Sequence, residues 1–276
     1  MGITTSLPCC AERSKEVRQL QPAKVVSTKI SNIVNKLGTL DEYSETVRQL
    51  NSPLPLTQPN TSFKHAWAKP PLSVASQGAV ILAARLRNAK DRDIRVQYWK
   101  AGCITPLLNM LISGRDEDKV HASILALQAL TDNCEDQDLL DEVVQLDGIA
   151  ILCKWMKASS AAEGVRMSAA TTVRNVIGKN KQYKSEFCRL GGLKALVSLL
   201  QFDKKRIADD QYTQWLLERV NDVRDYLEDG SGNVDELLAK QLISEGVRSK
   251  LEALKASNDN DIIEDSIDVL KLIQNL

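Results

Sequence analysis

The residues best placed to take part in chemistry stand at the very start, MGITTSLPCC, where a Met-Gly pair is followed by Ser6 and then by the adjacent thiols Cys9 and Cys10. Once the methionine is removed, the Gly2 amine fits the myristate-acceptor pattern M-G-x-x-x-[ST], and cysteines near a membrane can carry palmitate as thioesters. One myristoyl chain attaches a protein only marginally, whereas a second acyl chain makes the attachment lasting, at about 0.8 kcal/mol per buried methylene. Arg13, Lys15, Arg18, Lys24, Lys29 and Lys36 face only Glu12 and Glu16 over the same stretch. Near an anionic leaflet each basic residue adds about 1 kcal/mol. Lipidation is therefore expected at Gly2, Cys9 and Cys10, with the membrane as a partner.

Other chemistry is poorly served. His65 and His121 are the only histidines, so the usual metal ligand and general base is scarce. Cys103, Cys134, Cys153 and Cys188 stand singly, at spacings that fit neither a zinc site nor a redox pair, and read as small core residues with free thiols. The stretch DGSGN at 229–233 has the look of a calcium loop. With Asp229, Ser231 and Asp235 in register, however, the first and last ligand places fall on Leu227 and Leu238, so it reads as a Gly-rich loop. No nucleophile–base pair or phosphate loop is present, so no catalytic residue, metal, cofactor or small-molecule substrate is expected and the chain is not read as an enzyme. The 36 basic and 36 acidic residues cancel, which argues against nucleic acid. No apolar run reaches the roughly 18 residues of a membrane span, and the start lacks a secretory signal. The bulk of the protein is expected on the cytosolic side.

The elements that must position any site are helices, because Leu, Ala, Val and Ile dominate while aromatic residues make up 4% of the chain. Four segments read alike: GCITPLLNML from Gly102, GIAILCKWM from Gly148, GLKALVSLL from Gly192 and GVRSKLEAL from Gly246, at steps of 46, 44 and 54 residues. Longer helices lie between them, and aligning these on their apolar residues places Asn88, Asp132, Asn175, Asp222 and Leu272 together, at steps of 44, 43, 47 and 50. Two markers thus share one period, which is the signature of stacked repeats that cannot bury their apolar faces alone. Before them, residues 21–50 read as capping helices and 51–75, with five prolines, as an extended crossing. Residues 1–20 form the basic, acylated tail.

A short helix, a Gly-led second helix and a longer third helix form the unit of the armadillo repeat. NKQYKSEFCRLGGLKALVSLL and SAATTVRNVIGKN resemble that family's consensus almost throughout. The resemblance covers 76–276 as four full repeats preceded by one unpaired third helix at 76–90. It implies an all-α fold, an armadillo-type α-solenoid built as a right-handed superhelix of three-helix repeats. In such proteins the third helices line the concave face, and an asparagine on each ties down an extended peptide, since an amide both donates and accepts. Here that ladder is Asn88, Asp132, Asn175 and Asp222. One turn earlier, where nuclear-import receptors place tryptophan, stand Ala84, Gln128, Thr171 and Glu218, which disfavours a nuclear-import carrier. Trp215 is a candidate groove aromatic, and Asp132, Glu218 and Asp222 would make the groove acidic, favouring basic or polar partner segments. Lys204, Lys205 and Arg206 read as a charged loop.

Together with Gly2, Cys9 and Cys10, the stack resembles the lipid-anchored armadillo-repeats-only proteins of apicomplexan parasites and the yeast vacuolar armadillo protein. The resemblance implies a peripheral scaffold that recruits proteins to the cytosolic face of an organelle, the rhoptry in the parasites or a vacuole in yeast. The alternative is a soluble armadillo cofactor of a heat-shock chaperone, or a peptide carrier, without a lipid anchor.

Overall fold

The computed structural model of the chain describes residues 41–51, 73–88, 92–114, 116–178, 180–206, 208–228, 233–274 and 276. Gly2, Cys9 and Cys10, the basic tail, the capping run before 41 and most of the Pro-rich crossing lie outside these residues. The described helices are α1 (Asp41–Leu50), α2 (Val74–Asn88), α3 (Arg92–Lys100), α4 (Ile104–Ser113), α5 (Glu117–Thr131), α6 (Gln137–Gln145), α7 (Gly148–Lys157), α8 (Glu163–Ile177), α9 (Lys181–Arg189), α10 (Gly192–Leu199), α11 (Asp210–Leu227), α12 (Glu236–Ser244), α13 (Val247–Leu254) and α14 (Asn260–Leu272). Among the described residues the only extended pairing is the single bridge between Glu228 and Val234.

Local chemistry explains where these helices begin. Asp116, Asp136, Asn180, Asp209, Asp235 and Asp259 each stand one residue before a helix and accept hydrogen bonds from its first free amides. Such caps are worth about 1 kcal/mol each. Asp235 is thereby committed to capping α12, not to a calcium loop. The turns joining first to second helices put Gly102, Asp147, Gly191 and Gly246 in the left-handed region, with φ of 80°, 60°, 70° and 87°. This corrects the glycine register by one residue in the two middle repeats. Gly148 and Gly192 are the first helical residues beyond the turn, where the helices cross closely. A Cβ on Gly192 would come within 2.2 Å of the Phe187 ring, and one on Gly148 within 2.5 Å of Val143.

Three helices make a unit: α3–α5, α6–α8, α9–α11 and α12–α14. The third helices pack side by side, α2 on α5, α5 on α8, α8 on α11 and α11 on α14, and α2 also packs on α1. The helix at 76–90 is therefore not unpaired: α1 supplies its partner, approaching so closely that a Cβ on Gly78 would stand 3.2 Å from Gln49. The core runs without a break from Val47 to Ile273 and includes Cys103 and Cys153, while Cys134 and Cys188 are half-buried. Small residues such as Ala126 and Ala169, both fully buried, let the third helices approach. First helices are tied across units, Trp99 Nε1 donating to Glu142 at 2.5 Å and the Tyr183 hydroxyl to Asp141.

Candidate functional site

The row of third helices keeps one face away from the core, and the residues named for the groove must be located on it. Asn88 is the last residue of α2; its side chain is outside the described set. Gln128 is half-buried on α5. Asp132 lies past the end of α5, in extended backbone, and is exposed. Asn175 is half-buried inside α8, and its amide nitrogen is buried without a hydrogen-bond partner among the described residues. Asp132 and Asn175 are therefore not equivalent. Buried faces match instead when α8 is set 46 residues after α5, so Ala129 holds the place of Asn175, while Asp222 on α11 does correspond to it. Apolar stripes recur every third or fourth residue, so aligning sequences on them leaves a one-turn ambiguity.

Thr171 and Asp222 are not groove residues at all, because both are buried. They belong to a polar knot between α8 and α11 centred on Arg219, whose side chain is 0% exposed. Arg219 donates from Nη1 to the Met167 carbonyl at 3.0 Å, and from Nη2 to Thr171 Oγ1 at 2.7 Å and Glu218 at 3.2 Å. Its Nε lies 3.0 Å from Asp222 Oδ2, but the N–H is not aimed at that oxygen, so the contact is an ion pair without a hydrogen bond. Arg174, 30% exposed, donates to the other Asp222 oxygen at 3.0 Å. Burial pushes the Asp222 carboxyl up from the ordinary carboxylate range, against the pull of Arg219 and Arg174.

The expectation of an acidic groove built on Glu218 and Asp222 fails for the same reason. Their charges are answered from within by Arg219 and Arg174. A buried charge without such a partner would be far more costly, so the carboxylates and arginines come as a set. Open carboxylates occur further along, at Asp225 on α11 and at Asp261 and Glu264 on α14, all exposed. Arg206 is likewise no free loop cation: it pairs with Glu163 and Asp209, and its guanidinium lies 4.2 Å over the Tyr212 ring.

Trp215 is half-buried on α11 and reaches across the start of α8. A Cβ built on Gly164 would lie 3.4 Å from the indole and 3.8 Å from His121 of α5, so three successive third helices meet there. Burial, then the nearby Arg87, holds His121 below the ordinary histidine range, which keeps the imidazole neutral near pH 7. Sequence reasoning missed Arg219 and the Trp215–Gly164–His121 contact. The first had a legible signal: Arg219 sits on the buried stripe of Tyr212, Leu216 and Val223 at helix spacing. The second had none, because it joins helices far apart in the chain.

Among the described residues no group of three or more His, Cys, Asp or Glu side chains could hold a metal ion, and no helix is long and apolar enough to cross a membrane.

No protein-family model and no curated protein matches the sequence. Solved structures do match the fold. The armadillo repeats only protein from Plasmodium falciparum superposes with a TM-score of 0.72 at 22% identity, over 92% of this chain and 100% of that one. A computationally designed armadillo repeat protein for modular peptide recognition gives 0.63 at 16% identity, over 88% of this chain and 90% of the other. A designed armadillo repeat protein in complex with the peptide (KR)4 gives 0.51 at 16% identity, over 84% and 99%. The chain has the fold of an all-α armadillo solenoid.

Proposed function

We propose that this armadillo solenoid is a lipid-anchored scaffold, which takes extended segments of partner proteins along its third helices and holds them at the cytosolic face of an organelle membrane. The observation that carries the binding half is the row of Gln128, Asn175, Trp215 and Glu218. These lie on three successive third helices, outside the packed core and in a fold whose designed members include peptide binders. Asn175 carries an amide whose buried nitrogen has no partner among the described residues, Trp215 offers a broad apolar surface, and Asp225 and Glu264 continue the row with open carboxylates suited to a basic or polar segment.

The anchoring half rests on sequence: Gly2 with Ser6, the thiols of Cys9 and Cys10, and the basic residues behind them. A rhoptry-like or vacuole-like membrane follows from the resemblance to the lipid-anchored armadillo proteins, and the protein would be peripheral there.

Two measurements test the halves separately. Metabolic labelling with a clickable myristate analogue should mark the wild type and not Gly2→Ala. An unlabelled wild type, or equal label on both, removes the anchor and leaves a soluble carrier or chaperone cofactor. Affinity recovery of partners from the native cell with Asn175→Ala/Trp215→Ala should fall at least about tenfold against wild type, as the loss of an aromatic anchor and an amide contact implies. Unchanged recovery would place binding outside this face.

A further inference from the structure

On α8 and α11 the position that faces the next third helix is polar. Arg174 of α8 donates to Asp222 of α11, while Asn221 and Arg224 of α11 both donate to Asp265 of α14, at 3.0 and 2.9 Å. Carried 46 residues further, the register in which the buried faces of α11 and α14 coincide, Asn221 and Arg224 become Ile267 and Leu270. The polar position held by Arg174 on α8 and Asn221 on α11 is thus apolar on α14, as is the place of Arg224, which α8 already fills with Ile177; the two side chains on α14 are Ile267 and Leu270. Both are half-buried, and they floor a groove of about 420 Å³ between α13 and α14. Ile263 extends the stripe by one more turn.

The groove's rim is charged in a definite sense. Arg248, Lys255 and Lys271 line it against a single carboxylate, Glu252. Lys255 pairs with Glu252 at 2.8 Å and Lys271 with Asp268 at 2.9 Å. Exposed pairs of this kind contribute about 0–1 kcal/mol, so both lysines can exchange partners at little cost. Arg248 spends one N–H on the Ile273 carbonyl at 2.5 Å, which holds its guanidinium at the lip. The opposite side of α14 carries Asp261 and Glu264, so the helix separates an acidic side from an apolar one edged with cations.

We propose that the groove between α13 and α14 docks an amphipathic helix of a partner protein. The partner's apolar stripe lies on Ile267 and Leu270, as a following third helix would, and carboxylates flanking that stripe meet Lys255, Lys271 and Arg248. The geometry is that of a helix in a groove, where apolar anchors at i, i+3/i+4 and i+7 supply affinity and flanking charge supplies selection. This surface is separate from the peptide-binding row and does not depend on it.

The test uses the full chain and two synthetic helical peptides with the same leucine stripe, one flanked by glutamates and one by lysines, followed by fluorescence anisotropy. The glutamate peptide should bind, and the lysine peptide should bind at least about tenfold more weakly. Lys255→Glu/Lys271→Glu should reverse that order, Leu270→Ser should abolish binding with the far-UV spectrum unchanged, and Trp215→Ala should leave it intact. No binding of the glutamate peptide, equal binding of both peptides, or affinity that survives the charge reversal would overturn the proposal. Sedimentation velocity closes the remaining route: self-association of the wild type that Leu270→Ser removes would assign the groove to a second copy of this chain instead.

Discussion

Arg219 shows how one residue can hold two repeats together. It is fully enclosed, spans from α11 to a backbone carbonyl of α8, and with Arg174 balances Asp222. Removing one member of such a set leaves the others charged and buried, which costs about 3–5 kcal/mol. Arg219→Ala is accordingly expected to lower the urea-unfolding free energy by that amount. Arg206→Ala, whose pairs are about one-third exposed, should lower it by no more than about 1 kcal/mol. The enclosed thiols make a second prediction. Burial pushes Cys103 and Cys153 up to about 12 from an ordinary value of 9.0. Below the ordinary value both folded and unfolded chains keep these protons, and stability does not depend on them. Between there and about pH 12 only the unfolded chain releases them, so stability falls by about 1.4 kcal/mol per pH unit for each thiol. Urea unfolding at pH 8 and pH 10 should show a smaller alkaline loss for Cys103→Ala/Cys153→Ala than for wild type. In the native state at pH 8, neither thiol should react with iodoacetamide.

At the scale of the element, the crossing of first and second helices depends on which of two neighbouring residues lacks a side chain. Gly191 turns the chain at positive φ, while Gly192 makes room for Phe187, whose ring stacks on Tyr226 of α11 at 4.9 Å. Gly192→Ala forces a methyl into that ring, an overpacking that costs about 1–3 kcal/mol. Asp209→Ala removes only the cap of α11, about 1 kcal/mol. Thermal unfolding should rank the two in that order. In the sequence the helical glycine reads as the marker, because two adjacent glycines cannot be told apart without knowing which residue the turn requires.

At the scale of the molecule, each unit packs chiefly against its neighbours, so the stack should loosen piece by piece. Ile262→Ala, a large-to-small change at a buried site of α14, should raise hydrogen exchange in α12–α14 while protection of α5 stays unchanged, as mass spectrometry of peptic fragments would show. Equal loss throughout would mean one cooperative block. On the two proposals, the same modularity would let the row on the third helices and the α13–α14 groove take different partners, one extended and one helical.

Periodicity carried most of the fold in the sequence: apolar side chains every third or fourth residue, recurring at forty-odd intervals, can be buried only by stacking, so the solenoid and its third helices were legible. The acyl-acceptor pattern of Gly2, Cys9 and Cys10 is likewise a property of sequence alone. What the tertiary structure decided was phase and exposure. Which residue of a helix faces its neighbour depends on crossing geometry, and a one-turn shift moved Asp132 out of the row that holds Asn175. Whether a carboxylate meets solvent or an arginine depends on what another helix brings to it. Asp222, read as a groove residue, is instead enclosed because Arg174 and Arg219 arrive from two helices at once.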